Sequence, residues 1–399
     1  MGEHGVLHGR IDSIRLGDVL KEKCSMESFI NTSKELFYGD RYFREHVMPN
    51  DFDYRVHKKE LSPYFAQHGF KVSMMYNDYF SRLNGIRSDK YISMDMYYMY
   101  VLPCLNRRDM QRAYADKNAY SELFADIRQP ECVVKNINGF FRDSCGVRIS
   151  KYKAMSLCLG IEGCIIKPTV ETGDGVGVER FDGSSEQSID SQFSRYESDF
   201  VVQKRVMQHE KLALLNPSSL NSMRLMTYRA LDGSINFLFG KTFLRVGGKG
   251  SCKDNVSAGG GMMHVDDDGK VSDIVVRYKT MEVRSLKDDY GVEDFYVPNF
   301  EAAISLVLKL HERMWYCDFC GWDIAIGEDG VPVFVEVNVI PACESVQQGS
   351  GPIFEGWILD EIMARLSCVK KSRAEFSINH FRYGFDHLLQ IGGEEVHVN

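Results

Sequence analysis

What this chain lacks narrows its reading before any motif does. No stretch approaches the roughly 18 consecutive apolar residues of a membrane-spanning helix. The opening MGEHGVLHGR has no apolar signal core. MGEHGV lacks the Ser or Thr that a myristoylation site wants at position 6, and the closing HVN is no lipidation signal. Internal repeats and low-complexity linkers are missing too. Basic residues do not dominate: a formal net charge of −8 argues against a broad nucleic-acid or anionic-membrane surface. The 11 cysteines are odd in number and scattered, and only CDFC (Cys317 to Cys320) has Cys-x-x-Cys spacing. No second ligand pair accompanies it, so packing is its better reading, and reduced thiols point to the cytoplasm.

What is there is a chain of 399 residues, 44% hydrophobic and 26% charged, long enough for two or three domains that each bury a core. Residues 1–115 are rich in Tyr, Met and Arg at mostly helical spacing, as in SMDMYYMYVLPCLNRRDMQRAY. From 116 the texture changes. DKNAYSELFADIRQP reads as a helix stopped before Pro130, ECVVKNINGFF as a strand and Gly turn, and SKYKAMSLCLG as a helix between Ser150 and Gly160 caps. GCIIKPTVETGDGVGVERF (163–181) reads as strand, Gly-rich loop, strand, and DFVVQKRV (199–206) as a further strand. Several strand-like runs fill 221–276. PNFEAAISLVLKLHERMW (298–315) is a helix N-capped by Asn299, a hairpin follows at 321–338, and SVQQGSGP reads as a Gly-rich loop before an amphipathic tail. Mixed strands and helices of this kind give an α+β chain, not a doubly wound one.

The hairpin carries the sharpest chemistry. In GWDIAIGEDGVPVFVEVN, a two-residue Asp329-Gly330 turn would set Asp323 directly opposite Glu336, with Asn338 on the same face. Like charges about 4.5–5.5 Å apart destabilise a sheet, so the plain reading is an accidental acidic pair. A divalent cation turns the repulsion into attraction, and Mg²⁺ is usually held by one or two carboxylates plus phosphates and water. Asp323, Glu336 and the amide of Asn338 are such a donor set; a carboxylate acid/base pair would leave Asn338 without a role.

In IIKPTVETGDGVGV, the glycines alone would mark only a flexible loop. Lys167 at the end of an apolar strand, with Gly173, Gly175 and Gly177 following, makes a phosphate cover, though the loop is neither a Walker sequence nor G-x-G-x-x-G. DNVSAGGG, with Asn255, Gly259 and Gly260, is too Gly-rich for a plain strand and reads as a substrate-facing loop. Lys135 reads as structural, and His209 equally as a ribose neighbour or a surface residue.

Lys167-Pro168 before a Gly-rich loop, the VVQKRVMQHE connector, Asp323 and Glu336-x-Asn338, and the DKNAY helix start together resemble the ATP-grasp superfamily. NSMRLMTYR, FLRVGGKGSCKDNVSAGGG and FVEVNVIPACESVQQGSGP resemble most its sugar-transfer-associated branch, over roughly residues 115–356. The resemblance implies an ATP-grasp fold, two α+β subdomains clasping ATP. Residues 1–115 would be a mostly helical N-terminal region, 116–205 the small subdomain, 206–360 the large one and 361–399 a tail. It further implies that Lys117 and Lys167 contact phosphates, and that the loop 169–177, Thr172 included, closes over them. Gln203, Lys204, Arg205 and Val206 would line adenine, and Glu210 would hold ribose. Asp323, Glu336 and Asn338 would bind two Mg²⁺, with Mn²⁺ as a substitute. Arg224 and Arg245 would meet the γ-phosphate or an acyl phosphate, and Gln347 in SVQQGSGP would help choose the substrate. Gln203 stands where many relatives have Glu. The implied activity is an ATP-dependent carboxylate-amine ligase acting on small molecules through an acyl phosphate, joining an amino acid to a sugar or another small molecule, with a homodimer allowed. The alternatives are a phosphoryl transferase on the same fold and a non-catalytic nucleotide-binding scaffold.

Overall fold

The computed structural model describes residues 60–170, 177–248, 250, 260–277 and 282–371. Every described residue belongs to one compact unit, residues 53–387. No described helix is long and apolar enough to cross a membrane.

The described part opens on short helices. Pro63–Gln67 begins with Pro at its first position and Ser62 capping it, and Met75–Asn84 follows. Met94–Met96 runs through a π-helical turn, Tyr97–Val101, into Leu102–Leu105. Arg108–Ala115 comes next. The DKNAY segment is shorter than its pattern suggests. A 3-10 turn at Lys117–Ala119, capped by Asp116, leads into Tyr120–Leu123, and the chain leaves the helix well before Pro130.

Five strands form the first antiparallel sheet: β1 Cys132–Ile137, β2 Phe140–Asp143, β3 Cys164–Pro168, β4 Glu179–Arg180 and β5 Phe200–Lys204. Their order is β2-β1-β5-β3-β4. Asn138 and Gly139 make the β1–β2 turn, both with positive φ, as a two-residue hairpin requires. Val134, Ile166, Phe200 and Val202 bury one face beneath helices Lys151–Cys158 and Glu186–Tyr196, which Ser150 and Ser185 cap. On the other face, Lys135 and Lys167 flank Val201 in a single cross-strand row.

The second sheet holds β6 Ser222–Arg229, β7 Ile235–Phe237, β8 Thr242–Val246, β9 Gly261–Val265, β10 Ile274–Arg277, β11 Glu282–Ser285, β12 Phe319–Ile326 and β13 Pro332–Asn338. Its order is β11-β10-β9-β8-β6-β12-β13, with β7 beside β6. Leu225, Leu244, Met263, Trp322, Ile324 and Phe334 form its core with helix Phe300–His311. Cys317 and Cys320 are fully buried in the same core.

Three local expectations change. The β12–β13 loop has three residues, Glu328-Asp329-Gly330, closed by Gly327 and Val331. Gly330 adopts φ 78°, the left-handed position that such loops give to glycine. The extra loop residue shifts the register by one, pairing Ile324 with Phe334; an irregularity after Asp323, with Val335 unpaired, shifts it back. Asp323 therefore faces Glu336 after all. Without the bulge Asp323 would face Val335, and Glu336 would point to the opposite side of the sheet. Asn299 occupies the N-cap position with φ 51°, but its side chain donates to the Gly330 carbonyl (2.6 Å) and not to the helix. SVQQGSGP is no loop: most of it lies in helix Cys343–Ser350.

Candidate nucleotide and metal site

Strand alternation builds one polar face on the large sheet. Met223 and Leu225, Leu244 and Val246, and Trp322 and Ile324 point into the core, so Arg224, Arg245 and Asp323 point the other way. Asp323 is paired in register with Arg224 on one side and Glu336 on the other. Its carboxylate accepts from Nε of Arg224 at one oxygen, and at the other from Arg224 Nη2 (3.3 Å) and Arg245 Nη2 (2.7 Å). Burial alone would raise the Asp323 carboxyl, but the two guanidiniums outweigh it and hold it below the usual carboxylate range. Gly321, two residues earlier on the same face, makes room: a Cβ there would lie 3.2 Å from Arg224 Cδ and 3.2 Å from Pro341 Cβ.

Glu336 is held differently. Its Oε1 lies 3.0 Å from Lys117 Nζ. The Lys117 backbone N–H donates to Thr169 O (3.0 Å), just past the end of β3. Lys117 is thus anchored at the small sheet and reaches the large one. Each facing carboxylate has cationic partners, so the cross-strand repulsion expected from the bare sequence is neutralised. Next to them, Asn338 Nδ2 is buried with no hydrogen-bond partner among the described residues.

On the small sheet Lys167 is 6% exposed and lies in the row with Val201 and Lys135. Gln203, further along β5 on the same face, buries its Oε1 without a donor among the described residues. Lys204 points out and pairs with Glu131 (2.8 Å), and Arg205 donates to Pro217 O (2.7 Å). Val206 is half-buried, and Glu210 is exposed as the first residue of helix Glu210–Leu215. The connector is tied to the β12–β13 hairpin by His209 N–H to Ile326 O (2.9 Å) and Glu328 N–H to Met207 O (2.8 Å). His209 itself caps the short helix.

Gly177 is held through its carbonyl by the Tyr196 hydroxyl, and Gly260 is buried at the start of β9. Gln347 is committed elsewhere: its amide bonds both the N–H and the carbonyl of Ile92 (2.9 and 3.0 Å), and it is fully buried. It braces helix Cys343–Ser350 against the N-terminal helices and is not presented to a substrate. Thr172, Gly173, Gly175, Asn255 and Gly259 lie outside the described residues. Lys135, which the sequence reads as structural, braces the fold. Its Nζ donates to Asn118 O (3.3 Å) and to Ser121 Oγ, bracing the turn that carries Lys117. Only the pairing of β1 with β5 reveals that it shares a row with Lys167.

The donor chemistry fits a hard cation. Two carboxylates and the Asn338 amide share one face; a cation would take the amide oxygen, the partnerless atom being the nitrogen, and among the described residues no cluster of three or more His, Cys, Asp or Glu side chains is present. The remaining ligands of such an ion would be phosphate oxygens and water, the usual condition of Mg²⁺.

The class defined by these two sheets and the polar faces they carry is the ATP-grasp fold. A family model described as sugar-transfer associated ATP-grasp matches residues 100–352, and the chain belongs to that family. Among solved structures, it is similar to an N5-carboxyaminoimidazole synthetase from Staphylococcus aureus complexed with ADP, at 14% identity and TM-score 0.34, over 59% of this chain and 47% of that one. It is also similar to a D-alanine--D-alanine ligase from Bacillus anthracis, at 14% identity and TM-score 0.34, over 65% and 70%. The D-cycloserine synthetase DcsG is a third, at 14% identity and TM-score 0.37, over 65% and 71%. The chain thus spans about half the length of the first of these. With TM-scores this far below 0.5, the three add nothing to the functional reading. The curated proteins contain no significant match.

Proposed function

We propose that the protein activates a carboxylate with ATP and joins it to an amine. The observation that carries this is the convergence of Asp323, Glu336, Asn338, Arg224 and Arg245 on one face, tied through Lys117 to the strand end that bears Lys167. Residues 116–205 would be the lobe that covers the nucleotide and 206–360 the lobe that supplies the polar face, with 1–115 and 361–399 flanking them. Lys117 and Lys167 would neutralise phosphate charge, with the loop 169–177, including Thr172, Gly173, Gly175 and Gly177, laid over it. The unpaired Oε1 of Gln203 would accept from the exocyclic amine of adenine, and Glu210 would hold the ribose. Asp323, Glu336 and Asn338 would hold Mg²⁺, which contributes positive charge beside the phosphate oxygens when bound.

A substrate carboxylate oxygen attacks the γ-phosphorus and ADP leaves. Arg224 and Arg245, their guanidiniums fixed by Asp323, stabilise charge on the transferring oxygens. The amine then attacks the acyl phosphate, giving an amide and inorganic phosphate. The family's association with sugar transfer favours an amino acid joined to a uronic or amino sugar in the cytoplasm. The test is ADP release over a panel of acids and amines with the products weighed by mass spectrometry. A mass equal to acid plus amine minus water is expected; a stable phosphorylated product would replace this reading with phosphoryl transfer.

A further inference from the structure

A cavity stands along the polar face, away from the phosphate end. Asp323 pairs with Arg224, Arg224 with Phe243, and Phe243 with His264 across β12, β6, β8 and β9, so the four side chains issue from one face in one row. At about 4.8 Å per strand, the His264 backbone lies roughly 14 Å from that of Asp323. Beside it is a cavity of about 300 Å³, the lower end of the range for small-molecule sites. Phe243, Met262, Ile274 and Val276 line it from the sheet, Leu83 from helix Met75–Asn84 and Ile86 from just past its end.

The imidazole at its edge is gripped from both sides. His264 Nε2 is 3.1 Å from Asp266 Oδ1, and Nδ1 is 2.8 Å from Ser350 Oγ. An ionised carboxylate only accepts, so Asp266 fixes the proton on Nε2 and leaves Nδ1 to accept from the serine hydroxyl. Burial, the largest influence, holds this imidazole below its ordinary pKa, with Lys241 acting the same way and Asp266 and Asp267 opposing. Lys241 is itself bound by Glu355 (2.8 Å) and the Ser350 carbonyl (3.0 Å). A neutral imidazole backed by a carboxylate and fronted by a hydroxyl is a proton acceptor, and phosphoryl transfer from ATP to a carboxylate has no proton for it to take.

We propose that this cavity receives the amine substrate, a primary amine with an apolar body about the size of an amino acid, and that Ser350, His264 and Asp266 relay its proton. The proposal rests on the acyl-phosphate reading above. The amine nitrogen attacks the acyl carbon; the C–N bond forms, the C–O bond to phosphate breaks, and phosphate leaves with the electron pair. The N–H proton passes to Ser350 Oγ as the serine proton passes to His264 Nδ1. Asp266 stabilises the imidazolium, which returns its proton to water through its exposed edge (20% of the side chain). Asp266, on the cavity wall, also draws the incoming ammonium, which gives up one proton to water before the free amine attacks.

The experiment uses the full chain with ¹⁵N-labelled histidine, phenethylamine as the probe and 3-phenylpropionate as its anionic counterpart. His264→Asn assigns the resonance, and thermal stabilisation by Mg-AMPPNP is read on the same samples. Phenethylamine should shift the His264 ring nitrogens while 3-phenylpropionate leaves them unmoved. Asp266→Asn should weaken the amine about tenfold, the scale of one charge-assisted contact. Stabilisation by Mg-AMPPNP should survive both substitutions. A normal nucleotide response with a ring that ignores phenethylamine, or answers both probes alike, overturns this proposal alone. Wild-type protein that gains nothing from Mg-AMPPNP overturns the ligase reading and this proposal together.

Discussion

The two sheets bury one face each and keep a polar face on the other, yet those polar faces are made of opposite chemistry. On the large sheet both carboxylates are matched: Asp323 by two arginines and Glu336 by Lys117. On the small sheet the buried Lys135 is held by a carbonyl and a hydroxyl, and Gln203 keeps an acceptor with no donor among the described residues. The large-sheet face sets three cations against two carboxylates, so removing a carboxylate strands buried positive charge. The other is held by neutral groups, which leaves charge and hydrogen-bonding capacity for a ligand.

The largest expected effect breaks the large-sheet face. Asp323→Asn leaves Arg224 and Arg245 without their carboxylate and should cost about 3–5 kcal/mol, read by urea unfolding. A loss well under 1 kcal/mol would mean that the carboxylate does not hold the two guanidiniums. Next comes acid. His311 lies behind the large sheet between Thr227 Oγ1 (2.6 Å) and Cys317 O (2.9 Å), and burial lowers its pKa to about 4. The unfolded chain, with an ordinary histidine, binds more protons between that value and about pH 6.5. Stability from the neutral imidazole is therefore complete above that window and lost as pH falls through it. Going from pH 7 to pH 5 should cost the wild type about 2 kcal/mol more than His311→Gln. Parallel losses in the two proteins would remove His311 as the source.

Smaller effects probe the open face. Gln203→Leu removes an unsatisfied acceptor, so the apo protein should melt no lower, while ATP affinity measured by calorimetry falls about tenfold. A lower melting point with unchanged affinity would reverse that assignment. Lys135→Met should cost least, about 1 kcal/mol or below by thermal melting, since its partners are neutral. A loss as large as that of Asp323→Asn would erase the contrast between the faces.

Much of this was legible in the sequence, for local reasons. The strand ending at Lys167, the Ser150 cap and the Asp323–Glu336–Asn338 spacing depend on alternation and turns. The facing of Asp323 and Glu336 was reached through two offsetting errors, because neither the third loop residue nor the bulge at Val335 has a periodic signature. The partners of the acids were not legible from pattern. Arg224 and Arg245 come from strands about 80–100 positions away and Lys117 from still further, and only sheet order joins them. Gln347 was misjudged for the same reason, since helix packing decides whether a polar side chain braces the fold or faces a cleft. Once Lys117 is seen on Glu336, the slight stabilisation that cross-strand repulsion would give Glu336→Gln turns into a loss of about 1–3 kcal/mol.

That substitution also gives the most direct test that the two faces close on Mg-ATP. ATP binding is measured by calorimetry with Mg²⁺ and with EDTA, for the wild type and for Glu336→Gln. The wild type should bind ATP far more tightly with Mg²⁺, and Glu336→Gln should lose that Mg²⁺-dependent gain while keeping its metal-free affinity. An Mg²⁺-dependent gain of equal size in both proteins would contradict the metal assignment of the large-sheet face and the function built on it.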